Sequence, residues 1–108
     1  MMITIDNNNK ICTLINVFTV EPEKLTELLE NLKEMTVNFM SKCPGFISAN
    51  LHVGNDMKTI INYAQWASME DYQNVLKDEE ALKHMKGAAS LATGFKPTVC
   101  SEIWSHSA

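Results

Sequence analysis

Hydrophobic residues recur along the chain with two periods, one typical of strands and one typical of helices. The run from Ile11 to Val20 is apolar and rich in β-forming residues, which predicts a strand. Glu21-Pro22 then begins a stretch that is predicted to be helical, because proline is favoured in the first turn of a helix. Apolar residues follow at helical spacing, namely Leu25, Leu28, Leu29, Leu32, Met35, Phe39 and Met40. The helix is expected to end near Cys43-Pro44-Gly45, since the residue before a proline disfavours the helical conformation.

A hairpin is predicted in the middle of the chain. Phe46 to Val53 and Thr59 to Ala67 are both rich in β-forming residues, so each predicts a strand. Gly54-Asn55-Asp56 lies between them and has the composition of a turn. Two strands joined by so short a loop are expected to pair antiparallel to each other.

Helical signals return after this hairpin and are expected to form two pieces. Ser68 is placed to cap the first piece, since a serine hydroxyl can satisfy free amides of the first helical turn. Asp78 is placed to cap the second piece in the same way. Gly94 and Pro97 are expected to end it, which leaves Thr98 to Trp104 as the last strand.

The resulting order β-α-β-β-α-β is that of the split βαβ, or ferredoxin-like, arrangement of the α+β class. It predicts a four-stranded antiparallel sheet with the helices on one face and the other face bare. If that face is apolar, a second copy of the chain is the simplest cover, so we expect a homodimer. The length of 108 residues suits one domain, which we place at residues 11–105, between a polar lead-in (residues 1–10) and a tail (residues 106–108).

Charge and cysteine content narrow the expected partners. The net charge is −4 and the chain contains no arginine, so neither nucleic acid nor a membrane is expected as a partner. No apolar run reaches the length of a membrane span, and Met1 to Lys10 lacks the pattern of a signal peptide. The cysteines Cys12, Cys43 and Cys100 are odd in number and widely spaced, which is typical of free thiols in a reducing compartment. We therefore expect a cytoplasmic protein without a metal site.

The third strand carries the most informative polar residues. Side chains alternate across a sheet, so one face of this strand holds Ile60, Asn62, Ala64 and Trp66, and the other holds Ile61, Tyr63 and Gln65. If the first face lies beneath the helices, Asn62 and Trp66 are polar groups in an apolar chamber. Buried polar groups need partners, which here are either the oxygen atoms of a ligand or backbone carbonyls. Both alternatives are open at this point.

Several segments resemble one known family. They are Pro44-Gly45-Phe46-Ile47-Ser48-Ala49, His52, Asn62-Tyr63-Ala64-Gln65-Trp66 and Tyr72. With these residues and this order of elements, the chain resembles the antibiotic biosynthesis monooxygenase family of the dimeric α+β-barrel group. The run from Asn62 to Trp66 is similar to the branch of cofactor-free enzymes that oxidise anthrone-type intermediates of aromatic polyketide pathways to quinones. The resemblance implies a barrel-forming homodimer, a small aromatic substrate and O₂ as partners, and no cofactor.

The resemblance also implies roles for individual residues. Asn62 and Trp66 match the pair that holds the carbonyl and phenol oxygens of the substrate, and Tyr72 matches a further hydrogen-bonding residue. These three are the expected catalytic residues.

Three further positions are expected to form the substrate-binding wall. Asn16 falls near an asparagine that some members of the resembled family use in the pocket. Lys86 matches a basic residue, with Lys in place of Arg, whose charge would lower the pKa of a bound phenol. Leu51 departs from the family pattern, which has a tyrosine there, so the contact on that wall is expected to differ.

The implied reaction is physically coherent without a cofactor. An electron-rich phenolate or enolate can pass one electron to O₂ and recombine with it as a peroxide, and loss of water then gives a quinone. The substrate supplies the electrons, so neither metal nor flavin is required. The protein has to exclude water and favour the anion, which preorganised N–H donors do best.

Two alternative functions stay open on the same fold. A heme-degrading branch of the superfamily needs a helix tryptophan and a helix histidine beside the strand asparagine. Here Val75 occupies the position expected for the tryptophan and Met85 that of the histidine, with His84 one residue off. A shift of one residue turns a helical side chain by about 100°, which disfavours this branch. The other alternative is a domain that binds or isomerises a small molecule, because a fold does not fix a function.

Overall fold

Four strands and three helices follow one another in the predicted order in the computed structural model, which describes residues 10–108. The elements are β1 (Cys12–Thr19), α1 (Leu25–Asn38), β2 (Phe46–Val53), β3 (Thr59–Trp66), α2 (Met69–Lys77), α3 (Glu79–Leu91) and β4 (Gly94–Cys100). Short 3₁₀ helices, Pro22–Lys24 and Met40–Lys42, precede and follow α1. The first three strands agree with their predicted bounds to within one residue at each end.

The strands form one antiparallel sheet in the order β2-β3-β1-β4. β1 lies in the centre, where it pairs with β3 on one side and with β4 on the other, while β2 pairs with β3. The helices pack on one face of the sheet, and α2 and α3 together take the place of the second helix. The predicted ferredoxin-like α+β fold is therefore confirmed.

Side-chain caps divide the second helical segment where the sequence predicts. The Ser68 hydroxyl accepts a hydrogen bond from the Asp71 backbone amide at 3.1 Å, which caps α2. One carboxylate oxygen of Asp78 accepts from the amides of Glu80 and Ala81 at 2.9 and 3.1 Å, which caps α3. Asp78 itself is extended and separates the two helices by a single residue.

The predicted position of the last strand is wrong. β4 begins at Gly94 and ends at Cys100, whereas Thr98 to Trp104 was expected from the helix-ending effect of Pro97. Pro97 lies inside the strand, directly opposite Asn16. An edge strand tolerates a proline because one of its sides has no strand to receive an N–H. Trp104 lies beyond the strand and is 82% exposed.

Two clusters of buried side chains form the core between the sheet and the helices. The first contains Cys12, Leu14, Met40, Trp66, Tyr72, Val75 and Ala81. The second contains Phe18, Val20, Leu25, Leu28, Leu32, Ile60 and Ala88. Both draw on the same face of β1 and β3, which is the face that the alternation of residues in β3 assigned to the helices.

The opposite face of the sheet is more polar. There the Gln65 amide donates a hydrogen bond to the Thr13 hydroxyl at 3.0 Å, and both side chains are buried. The Asn50 amide donates to the Tyr63 carbonyl at 3.1 Å. Half-buried Ile15, Val17 and Ile61 lie on the same face. No helix within residues 10–108 combines the length and the hydrophobicity that crossing a bilayer requires.

Candidate active site

A cavity of about 720 Å³ lies between the helix-covered face of the sheet and the helices. Its volume falls within the usual range of small-molecule sites, roughly 300–1,000 Å³. The walls draw on both core clusters, and most of the lining side chains are apolar. The few polar groups among them are therefore the ones that can orient a ligand.

Asn16 and Asn62 form the polar part of the cavity wall on the sheet. They are cross-strand partners in the β1–β3 register, and such directly opposed side chains have Cβ atoms about 5 Å apart. The side-chain oxygen of each is buried, and neither oxygen has a hydrogen-bond partner within residues 10–108. Leaving a buried polar atom without a partner costs about 1–3 kcal/mol. A pair of such atoms on one cavity wall is a feature of a binding site.

Three aromatic rings form the wall next to these amides. Trp66, which is 3% exposed, stands edge-on to Phe46 with ring centres 5.3 Å apart. The ring centre of Tyr72 lies 6.4 Å from that of Trp66, and the two rings are tilted by 46°. Such contacts hold the indole in one orientation. All three rings line the cavity, so a flat aromatic ligand would meet aromatic surface there.

Tyr72 is a neutral hydrogen-bonding group in this environment. Burial raises the pKa of its phenol above the ordinary value of about 10, and the nearby Cys12 thiol adds to the rise. At neutral pH the side chain is therefore protonated, able to donate a hydrogen bond and not able to act as a base.

Charged groups lie along the exposed rim of the cavity, on α3. Glu79, Lys83 and Lys86 all line it, and all three residues are exposed. Their spacing of four and three residues places them along one side of the helix. Within the described chain neither lysine forms an ion pair, and the pair found on α3 joins His84 to Glu80.

Five of the six predicted site residues line this one cavity: Asn16, Asn62, Trp66, Tyr72 and Lys86. Leu51 does not. It lies opposite Asn62 in the β2–β3 register and so faces the helices, but its half-buried side chain packs against the second core cluster. Ala49, two residues earlier on β2, lines the cavity in that part of the sheet.

Several lining residues were not singled out in the sequence. They are mainly apolar groups of the helices, such as Met35, Met40 and Met85, and the edge-strand residues Phe95 and Pro97. The methionines follow the helical periodicity of ordinary core residues, so their spacing gives no separate signal. Phe95 and Pro97 were missed because the last strand was expected to begin after them.

The positions that a heme-degrading site needs are occupied by apolar side chains. Val75 and Met85 line the cavity, whereas His84 packs its ring against Phe39 with centres 5.1 Å apart. A one-residue offset therefore turns the histidine away, as the helical geometry predicts. Within residues 10–108 no three His, Cys, Asp or Glu side chains are grouped so that they could hold a metal ion.

A ferredoxin-like α+β fold with an aromatic cavity, and with two buried amide oxygens that lack a partner within residues 10–108, is typical of a domain that binds a small molecule. The family model for antibiotic biosynthesis monooxygenase matches residues 11–87, and the chain belongs to this family. The predicted class of enzyme, a monooxygenase, is thereby confirmed.

One relative in sequence agrees with this assignment, and two solved structures agree with the fold. The chain is 36% identical over 107 residues to the tetracenomycin-F1 monooxygenase of Streptomyces glaucescens, covering 99% of this chain and 95% of that protein. It is similar in structure to a monooxygenase from the gene ActVA-Orf6 of Streptomyces coelicolor, solved with nanaomycin D, with a TM-score of 0.82, 24% identity and coverage of 93% and 94%. It is also similar to SnoaB, a cofactor-independent oxygenase from Streptomyces nogalater, with a TM-score of 0.72, 20% identity and coverage of 89% and 96%.

Proposed function

We propose that this protein is a cofactor-independent monooxygenase that oxidises a phenolic, anthrone-type substrate to a quinone with O₂. The observation that carries the proposal is the pairing of Asn16 with Asn62 in a largely apolar cavity that Trp66 also lines. The rings of an aromatic substrate fit against the apolar walls, while its oxygen atoms can contact the hydrogen-bonding side chains of the sheet. That arrangement suits a substrate whose reacting ring carries hydroxyl and carbonyl groups.

The overall reaction converts the CH₂ group of an anthrone and one O₂ into a C=O group and one water. A proton first leaves the substrate, and the resulting anion passes one electron to O₂. The substrate radical and superoxide combine to form a C–O bond, and a proton completes the hydroperoxide. Cleavage of its O–O bond with loss of the remaining C–H proton releases water and leaves the carbonyl. All electrons come from the substrate, so the balance needs no further reductant.

The protein assists mainly by favouring the anion. Trp66 offers one N–H donor and the amide of Asn62 offers two. In an enzyme site, one preorganised donor aimed at a developing oxyanion typically lowers the barrier by about 3 kcal/mol. Neutral Tyr72 adds a donor from α2. Together these groups lower the pKa of a bound phenol or enol.

Asn16 is proposed to accept a hydrogen bond from the substrate. Its oxygen and that of Asn62 are acceptors without a partner among the described residues. A substrate hydroxyl that donates to one of them removes an unsatisfied buried atom on binding. The two amides therefore favour a ring that carries both a donor and an acceptor oxygen.

Two relatives support the absence of a cofactor and the substrate class. SnoaB is described as a cofactor-independent oxygenase, and the similar monooxygenase of Streptomyces coelicolor was solved with nanaomycin D. We carry both properties over to this chain as part of the proposal. Small aromatic molecules and O₂ are then its partners.

We also propose that the working unit is a homodimer in the cytoplasm. The face of the sheet turned away from the helices carries Ile15, Val17, Ile61 and Tyr63 at half-buried positions. A second copy placed against this face would remove them from water and close the barrel that the resemblance implies. The reduced cysteines Cys12, Cys43 and Cys100 fit a reducing compartment.

The experiment is oxygen uptake by the purified protein with 1,8-dihydroxyanthrone, followed by a spectrum of the product. We expect the matching anthraquinone, one O₂ consumed per substrate, and rates unchanged by a chelator. Uptake that stops on chelation, or that yields free hydrogen peroxide in place of product oxygenation, would contradict the proposal.

A further inference from the structure

We propose that Lys83, together with Lys86, selects a substrate that carries a carboxylate on the part of the molecule that lies at the cavity rim. The inference rests on the function proposed above and adds a substituent to the substrate class. Lys83 has no part in the oxidation itself. It was not singled out in the sequence, yet it lines the same cavity as Asn62 and Trp66.

The charges of the cavity are concentrated in one place. Tyr72 is neutral, and the remaining ionisable lining residues are Glu79, Lys83 and Lys86, all on α3. Two ammonium groups and one carboxylate leave the rim with a net positive charge, although the whole chain carries −4. A positive rim on an acidic protein favours an anion at that position.

The lysines are available for such an anion. Neither forms an ion pair within residues 10–108, and the two are three residues apart on one side of α3, so both ammonium groups can approach one carboxylate. The reacting phenol is held at the other wall, on the sheet, by Asn62 and Trp66. The anion at the rim is therefore a second group of the substrate, remote from the reacting ring.

Apolar side chains also lie at the rim. Leu76, Leu82 and Phe95 line the cavity and are 40–53% exposed, so they surround the opening. An aromatic body that fills the cavity leaves its far end among these side chains, next to the ammonium groups. A carboxylate there keeps part of its hydration, so each lysine contributes modestly to affinity, as exposed ion pairs do.

Binding of two redox-inert ligands tests this inference without turnover. Anthraquinone-2-carboxylate and anthraquinone-2-carboxamide have the same rings and differ in charge. By calorimetry we expect the wild-type protein to bind the carboxylate about fivefold more tightly than the amide, and high salt to remove most of the preference. Lys83→Gln should weaken carboxylate binding about threefold, and Glu79→Gln should strengthen it about twofold.

Lys77→Gln is the matched control. It removes the same charge from exposed surface on α2, but Lys77 does not line the cavity. Its carboxylate affinity should stay at the wild-type value. Equal wild-type affinity for the two ligands, or an equal loss in Lys77→Gln and Lys83→Gln, would overturn the inference.

The outcome is separable from that of the proposed function. Oxygen uptake with an anthrone that has no carboxylate tests oxidation alone. A carboxylate preference without any uptake would uphold the rim assignment and refute the oxygenase. Oxygen uptake without a preference for the carboxylate would support the oxygenase and refute the rim assignment.

Discussion

Asn16 on β1 and Asn62 on β3 lie directly opposite each other, and the side-chain oxygen of each is buried without a hydrogen-bond partner in the described part of the chain. A folded protein gains nothing from this arrangement in the absence of a ligand. Both residues also line the cavity. Under the proposed function, the pair lowers the stability of the free protein and favours binding, and stability measurements can detect the first effect separately from activity.

Replacing Asn62 by leucine should stabilise the protein while it impairs oxidation. The substitution removes an unsatisfied buried oxygen and keeps the number and branching of the side-chain heavy atoms, so we expect the free energy of unfolding to rise by about 1 kcal/mol. Urea unfolding of the ligand-free protein measures it. Asn50→Leu is the control, because the Asn50 amide donates to the Tyr63 carbonyl, and loss of that bond should lower the same free energy by about 1 kcal/mol. Destabilisation by Asn62→Leu would show that its amide is satisfied in the fold.

Two glycines should respond oppositely to alanine. Gly45 has a φ of 84° and would place a Cβ against the Asp71 side chain that supports the start of α2, so we expect Gly45→Ala to cost about 1–3 kcal/mol of stability. Gly87 lies inside α3 with open space around it, and Gly87→Ala should add about 1 kcal/mol. Thermal unfolding of both variants, beside the wild type, provides the comparison. Equal effects of the two substitutions would contradict the described conformation of Gly45.

Stability should fall on the alkaline side of neutrality. Burial raises the pKa of Cys12, Cys43 and Tyr72 in the folded protein, so the folded state binds these protons more tightly than the unfolded state. Their contribution is complete below the unfolded pKa values, about 8.5 for cysteine and about 10 for tyrosine, and is lost as the pH rises through the folded values. Urea unfolding between neutral pH and mildly alkaline pH should show the decline, and Cys12→Ala should reduce its slope. A stability that increases over this interval would contradict the described burial of these groups.

Most of the fold follows from local signals in the sequence. The hairpin and the two helix caps at Ser68 and Asp78 are set by residues close in the chain, and the structure has them where they were expected. The last strand is different, because a proline ends a helix or a central strand but is tolerated at a sheet edge. The identity of the edge strand depends on the order of strands in the sheet. That order is a tertiary property, and Pro97 was therefore misread.

The residues of the candidate site were predictable where strand alternation or the family resemblance points to them. Asn62 and Trp66 fall on the helix-covered face because residues two apart in a strand share a face. Alternation cannot tell how far along a face a cavity extends. Leu51 shares that face but packs against the core. Lys83 is an exposed residue of α3, yet it lines the cavity.

We expect the protein to form a homodimer through the sheet face that is turned away from the helices. If Ile61 and Tyr63 lie between two sheets, sedimentation at micromolar concentration should show about twice the mass of the 12.1 kDa chain. Ile61→Lys would place a charge in that apolar contact and should shift the protein towards monomer. His52→Lys, an exposed position on the same face, is the comparison. A wild-type protein that sediments as a monomer would refute the barrel.

Trp66→Phe tests the assignment of the catalytic face most directly, with Tyr63→Phe as its control. The first substitution keeps the aromatic contact with Phe46 and removes the indole N–H of a residue that lines the cavity, while the second removes a hydroxyl from the opposite face of the same strand. Initial oxygen consumption at saturating anthrone is the measurement, after circular dichroism and sedimentation confirm that both variants keep the wild-type fold and assembly. We expect turnover by Trp66→Phe to fall by roughly tens- to a thousand-fold, and turnover by Tyr63→Phe to stay near the wild-type rate. Equal losses in the two variants, with the assembly intact, would contradict the placement of the reaction in the cavity beneath the helices.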